Sequence, residues 1–249
     1  DITHFEGNAN AFRLLTHRFL GRREGGFVMT YTTLASIVKY PFSSAFAGKH
    51  GKFGFFSTEE DTYKKIADEL GIIEKEHTEE GIRYVRHPLV YLMEAADDIC
   101  YEIMDIEDAH KLKLLSFEET AELLLGFFDE ETKRSIRQVV YFRACAVGLL
   151  EAECVNAFVE HEQEILQGTF EGSLIKHISE LPCKAYKHCA EVSVREIYRS
   201  KTVLDVELSG YKIMETLMND LIGAAVNPEH FHSQQLIRRF SSQYDIQSS

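Results

Sequence analysis

The sequence predicts an all-α protein, and three observations lead there. Prolines are few: four in 249 residues, at Pro41, Pro88, Pro182 and Pro228. They leave long stretches free of the residue that removes a backbone donor and breaks helices. Two segments, Ser57-Thr-Glu-Glu60 and Ser116-Phe-Glu-Glu119, place serine three residues before glutamate, the spacing of a reciprocal helix cap. Apolar residues also recur at helical spacing, most clearly in RHPLVYLMEAADDICYEIMDIED, Arg86 to Asp108.

In chain order, Asn8 or Asn10 is a candidate cap for a first helix reaching about Leu20. Thr32 or Thr33 opens a short helix that must end before Pro41. Ser57 opens a helix to about Leu70, where Gly71 stops it. IIEKEHTEEGIRYVRH alternates loosely and reads as a small hairpin turning near Glu80-Gly81. A helix over Leu89–His110 follows, since proline suits the turn just before it. Ser116 starts a helix to about Phe128. Thr132 to about Leu166 reads as one long apolar-rich helix or two in tandem, and its Val139–Phe158 segment is a candidate for core or interface. Pro182 starts another helix, Val203–Val226 forms the next, and Pro228 precedes a last amphipathic turn ending at Arg238-Arg239. The polar tail SSQYDIQSS is expected to fray.

The length suits one large domain or two small ones, and the 45% hydrophobic fraction is ordinary for a globular chain. The formal charge of −13 argues against a broad nucleic-acid surface but leaves room for a local basic pocket. No apolar run approaches the roughly 18–20 residues of a membrane span. The five cysteines, at 100, 145, 154, 183 and 189, form no CxxC pair and read as reduced, buried thiols. Cytosol is the simplest compartment for them.

In the helical part of the Arg86–Asp108 stretch, Leu92, Ala96, Ile99, Ile103 and Ile106 fall on one apolar stripe at 100° per residue. Glu94, Asp97, Tyr101, Asp105 and Asp108 fall opposite, with no basic residue among them. Such a face is either a solvated acidic surface or a place where something positive, such as a metal ion, sits.

The segment HPLVYLMEAADDICYEIMDIED resembles the fourth-ligand helix of bacterial deoxyguanosinetriphosphate triphosphohydrolases, members of the HD-domain superfamily. FEGNANAFRLLTHR (Phe5–Arg18) is similar to the family's FEGNAQ helix. TTLASIVKYP (Thr32–Pro41) and KFGFF (Lys52–Phe56) are similar to its substrate-side segments. These motifs cover roughly the first 110 residues, and no comparably specific motif follows. The resemblance implies a partial HD-domain-like helical bundle, residues 1–112, as the C-terminal part of the catalytic domain. Residues 113–249 would be a C-terminal helical region. The superfamily's His and His-Asp ligands, and its catalytic histidine and glutamate, precede the FEGN segment. This chain starts at Asp1 and has no His-Asp dipeptide, so it is expected to be part of a larger enzyme.

The resemblance further implies hydrolysis of dGTP, and of other dNTPs, to deoxynucleoside and inorganic triphosphate. Asp97 aligns with the last ligand of a divalent metal, Mg²⁺ or Mn²⁺, which prefers hard oxygen donors. Asp98 is the rival in the same dipeptide. Tyr101 is implied to pack against the 2′-deoxy sugar, and Asp105 to hydrogen-bond the nucleotide. Lys39 and Tyr40 of KYP, and Lys52, are implied to face the phosphates; lysine is a compact charge suited to a phosphate oxygen. Asn8 offers an amide to a phosphate or sugar hydroxyl. The blander readings are a surface acid, a half-buried tyrosine, a helix-end lysine and a helix cap. The resemblance also implies homo-oligomers and, as in some members of the family, single-stranded DNA as an effector. An HD-type nucleotide sensor without turnover is the alternative. His87 is read as structural, Gly54 as letting backbone approach a ligand, and Cys183, His188 and Cys189 lack a zinc spacing.

Overall fold

The computed structural model describes residues 5–21, 24–79, 81–135 and 139–240. The expected frayed tail lies outside the described residues. Helix predominates, and the one sheet among the described residues has two strands.

Helix α1 spans Gly7–Thr16. Its cap is Glu6, not Asn8 or Asn10: the Glu6 carboxylate accepts from the amides of Asn8 at 2.5 Å and Ala9 at 3.2 Å. A carboxylate there also suits the positive end of the helix dipole. Helix α2, Tyr31–Ser36, is capped by Thr30, whose hydroxyl accepts from Thr33 N at 3.2 Å. Ser57 does not form the expected capping box. Ser57–Glu59 is a 3₁₀ turn, and α3 begins at Glu60 and runs to Leu70. Glu59, just before α3, pairs with Arg13 at 2.6 Å. Gly71 ends α3 in the left-handed region, as expected.

The expected hairpin pairs β1 (Glu74–Thr78) antiparallel with β2 (Gly81–Tyr84). Glu80 of its turn lies outside the described residues. The register runs Glu74 to Tyr84 and then Glu76 to Arg83, so Lys75 is an extra residue in β1. Beyond β2, Phe42 bridges to Arg83, and Tyr84 N donates to the Pro41 carbonyl at 2.9 Å. The Lys39–Phe42 segment therefore lies along the open edge of the hairpin.

Helix α4, Pro88–Lys111, begins as the sequence predicts, with proline in its first turn and His87 Nδ1 accepting from Leu89 N at 3.2 Å. Helix α5, Phe117–Leu125, has the complete Ser116–Glu119 capping box. The apolar stretch after Thr132 is divided among α6 (Glu130–Ser135), α7 (Val139–Glu160) and α8 (Glu162–Gln167), with 136–138 outside the described residues. Helix α9, Glu180–Val192, takes Pro182 in its first turn, where a missing N–H costs nothing, and continues as a π turn over Ser193–Ile197. Helices α10 (Lys201–Val226) and α11 (Phe231–Ile237) follow.

Two main cores result. Phe12, Leu34, Val38, Phe55, Tyr63 and Ile66 pack α1–α3 against the hairpin. The larger core gathers Ile99, Ile103 and Ile106 of α4 with Leu124, Leu150 and Cys189 of α5, α7 and α9. The α4 stripe is displaced from the expected one: Tyr91 and Ala95 are buried, whereas Ala96 is exposed. On α7 the inner stripe of Phe142, Ala146, Leu150, Cys154 and Ala157 is core, while Tyr141 and Val155 stay exposed. Cys154, Cys183 and Cys189 are buried as expected, but Cys100 is exposed. Among the described residues no helix is long and apolar enough to cross a membrane.

Candidate functional site

The acidic face of α4 is not uniformly solvated, and Glu94 explains why. It is buried, and its two oxygens take cations from outside the helix: Lys39 Nζ at 2.8 Å and Arg86 Nη1 at 3.0 Å. Along the helix itself the charge has no relief; in three dimensions Glu94 is compensated by two cations from outside α4. Burial acts to lower the Lys39 pKa, but Glu94 outweighs it and the ammonium titrates above its ordinary value. Arg86 also donates to the Lys39 carbonyl at 3.0 Å and stands 5.6 Å from the Tyr91 ring centre. One guanidinium thus ties the segment after α2 to the start of α4.

Lys39, Tyr40 and Arg86 open onto a cleft of about 520 Å³. Its other cations are Lys75, Arg83 and Lys176; Glu94 and Glu171 are its carboxylates. Five cations against two carboxylates, in a chain of charge −13, is a local reversal of sign. The hairpin edge and Lys39–Phe42 form one side, and the Gly168–Lys176 turn forms the other. Arg83 is set by stacking, 4.4 Å from the Phe42 ring centre and 5.1 Å from Phe46. Gly168 is required for the close approach, since a Cβ there would come within 2.3 Å of Val85 Cγ1.

Asp98 follows Glu94 by four residues on α4. It is half-buried and lies in the electrostatic field of Glu94, Lys39, Asp97 and Lys176. Burial first, then Glu94, pushes its carboxyl above the usual range; Lys39 and Lys176 pull the other way. Asp97 is exposed beside it, as is Tyr101 one turn on. Asp105 accepts a short hydrogen bond from the Tyr198 hydroxyl, and burial followed by that bond raises the Tyr198 pKa.

Asn8 and Lys52 meet at Glu6 and not at the cleft. Both bind Glu6, Asn8 Nδ2 at 3.0 Å and Lys52 Nζ at 3.1 Å. Glu6 is buried, while the Lys52 side chain keeps 54% of its exposure. Gly54, next to Lys52, does not admit a ligand as its sequence context suggests. A Cβ there would fall 2.1 Å from the Tyr40 carbonyl oxygen, so the glycine lets two backbone segments cross. Lys75, Arg83, Arg86 and Lys176 at the cleft, and Glu6 at the separate Asn8–Lys52 contact, escape a reading of spacing because tertiary packing sets their partners.

Among the described residues no group of three or more His, Cys, Asp or Glu side chains is placed to hold a metal. Asp97 offers a hard oxygen, but it has no set of partners here. The donor set of these residues therefore does not fit a complete divalent site.

A helical scaffold carrying a cationic cleft beside a carboxylate-rich helix defines a candidate binder of anionic, phosphate-bearing ligands. No family model matches the chain. It is, however, 35% identical over 254 residues to the deoxyguanosinetriphosphate triphosphohydrolase-like protein of Pseudomonas aeruginosa PAO1, covering 96% of this chain and 56% of that protein. It is 31% identical over 245 residues to the protein of that name from Synechocystis, covering 92% of this chain and 54% of the relative. It is 27% identical over 279 residues to the deoxyguanosinetriphosphate triphosphohydrolase of Yersinia enterocolitica, with 100% of this chain and 52% of the relative covered. The chain belongs to this family of deoxyguanosinetriphosphate triphosphohydrolase and triphosphohydrolase-like proteins. It spans about half the length of the curated relatives it matches.

Proposed function

We propose that the natural protein hydrolyses a deoxynucleoside triphosphate, dGTP by preference, to deoxynucleoside and inorganic triphosphate. The observation that carries this reading is the gathering of Lys39, Tyr40 and Arg86 in a cationic cleft lined by Glu94 of α4, the helix that also carries the exposed Asp97 and Tyr101. Attack of water at the α-phosphorus places growing negative charge on phosphate oxygens, and fixed cations stabilise it. Lys39 and Arg86 are pre-positioned by Glu94, so little reorganisation is needed when phosphate arrives. Tyr101, 66% exposed, has a ring free to pack on a sugar. Asp105, held by Tyr198, is an acceptor for the nucleotide. Lys52 and Asn8 belong to the same reading as outer contacts, organised by Glu6.

In this reading Asp97 contributes one ligand to a Mg²⁺ or Mn²⁺ site whose other ligands lie outside the described residues, and residues 1–112 belong to the catalytic domain. Assembly into homo-oligomers is part of the proposal. Helix α10 supports it, because Val206, Leu208 and Tyr211 are each at least 66% exposed and burial of such surface is favourable.

The test is product analysis with the natural full-length protein, dGTP and Mn²⁺ or Mg²⁺, by phosphorus NMR and chromatography. The reading expects deoxyguanosine and inorganic triphosphate in equal amounts. Release of orthophosphate or pyrophosphate would replace it with another phosphohydrolase reaction. Binding of dGTP without any product would favour the sensor.

A further inference from the structure

We propose that Lys75 and Lys176 hold the departing triphosphate end of the substrate, making the hairpin and the Gly168–Lys176 turn a dedicated polyphosphate cradle. This rests on the hydrolytic reading for the identity of the ligand, but the site itself is argued from geometry.

The sharing of charge is the first argument. Lys39 and Arg86 are already partly neutralised by Glu94. Arg83 Nε lies 3.5 Å from Glu76 Oε2, outside hydrogen-bonding geometry, and that buried nitrogen has no hydrogen-bond partner among the described residues. Lys75 and Lys176 make no ion pair within 4 Å among the described residues, although each lines the cleft. An inorganic triphosphate carries several negative charges that the Glu94 pair cannot balance alone. The two unpaired lysines supply the remainder.

Local backbone geometry places both lysines. In a regular antiparallel pair Lys75 would lie opposite Arg83. The bulge gives that place to Glu76 and makes Lys75 the extra residue, and such bulges re-aim side chains beside sites. On the far wall, Lys176 closes a 3₁₀ turn after Gly172, which takes the left-handed conformation at φ +88°. Glu94 of α4 lines the same cleft as Lys75 and Lys176, so the cradle borders that helix. Nothing in the larger core requires either lysine, as both are exposed.

The experiment uses the natural full-length protein, Lys75→Gln, Lys176→Gln and the double variant. Calorimetric titration with inorganic tripolyphosphate is paired with dGTP kinetics. Each single change should weaken tripolyphosphate binding by about fivefold and the double by about 20-fold or more, while KM for dGTP rises more than kcat falls. Melting temperatures should not move, since both side chains are solvent-facing. Tripolyphosphate affinity within about twofold of wild type in the double variant would overturn the cradle, even if dGTP is hydrolysed. Lysine-dependent tripolyphosphate binding by a protein that yields no deoxyguanosine would uphold the anion site and sink the hydrolytic reading instead.

Discussion

Lys39 Nζ lies 2.8 Å from Glu94 Oε1, and this contact joins the segment after α2 to the second turn of α4. It sets the geometry of the cationic cleft, because Arg86 shares the same carboxylate at 3.0 Å. Glu94→Gln keeps the shape and removes the charge. It is expected to cost on the order of 1.5–3 kcal/mol of stability, the range for a hydrogen-bonded charged group. Thermal unfolding measures this, and a variant as stable as wild type would mean the two cations are satisfied without Glu94.

Asp98 supplies a pH dependence whose sign is fixed. Burial and Glu94 raise its folded-state pKa above the unfolded one. The folded state therefore binds the proton more tightly, and the associated stability is lost as pH rises through the raised pKa. Asp98→Asn removes that loss. The melting temperature of Asp98→Asn relative to wild type should be higher near about pH 7 than near about pH 4. A relative value that is flat or falls with pH would show that the group is not perturbed in this direction.

The two aspartates of the α4 dipeptide should also separate in activity. Asp97→Ala in the full-length protein should abolish most metal-dependent turnover while the helix persists, since alanine is a good helix former. Asp98→Ala should do much less. Reversed effects would move the ligand to Asp98, the more buried of the two and the one in the field of Lys39.

Tyr101 tests sugar discrimination. Tyr101→Phe retains the ring and should preserve rejection of GTP, whereas Tyr101→Ala should relax it. The dGTP/GTP ratio of kcat/KM decides this, and an unchanged ratio in Tyr101→Ala would leave Tyr101 as an exposed surface residue.

The helical class and most element boundaries were legible because their causes are local. His87-Pro88 starts α4, Gly71 stops α3, and Ser116 with Glu119 forms a true capping box. The same pattern misled at Ser57, which lies in a 3₁₀ turn ahead of α3, so that the N-cap position falls on Glu59. Asn8 was outcompeted as a cap by the carboxylate of Glu6. At the site, Lys39 and Asp97 stand out through short motifs. The cleft does not, since Lys39, Lys75, Arg86 and Lys176 come from four separate segments that only packing brings together. Glu94 looked like one more acid on an exposed face because its partners lie on other elements.

The central claim is that the cationic cleft beside α4 handles the phosphates of a reacting nucleotide. The most direct measurement is kcat/KM for dGTP in full-length Lys39→Ala, with melting temperature as the control. Loss of one charge-assisted contact to a reacting phosphate is expected to cost on the order of 2–4 kcal/mol, roughly 30- to 1,000-fold, with melting affected far less. A Lys39→Ala protein that turns over dGTP within about twofold of wild type would contradict the account.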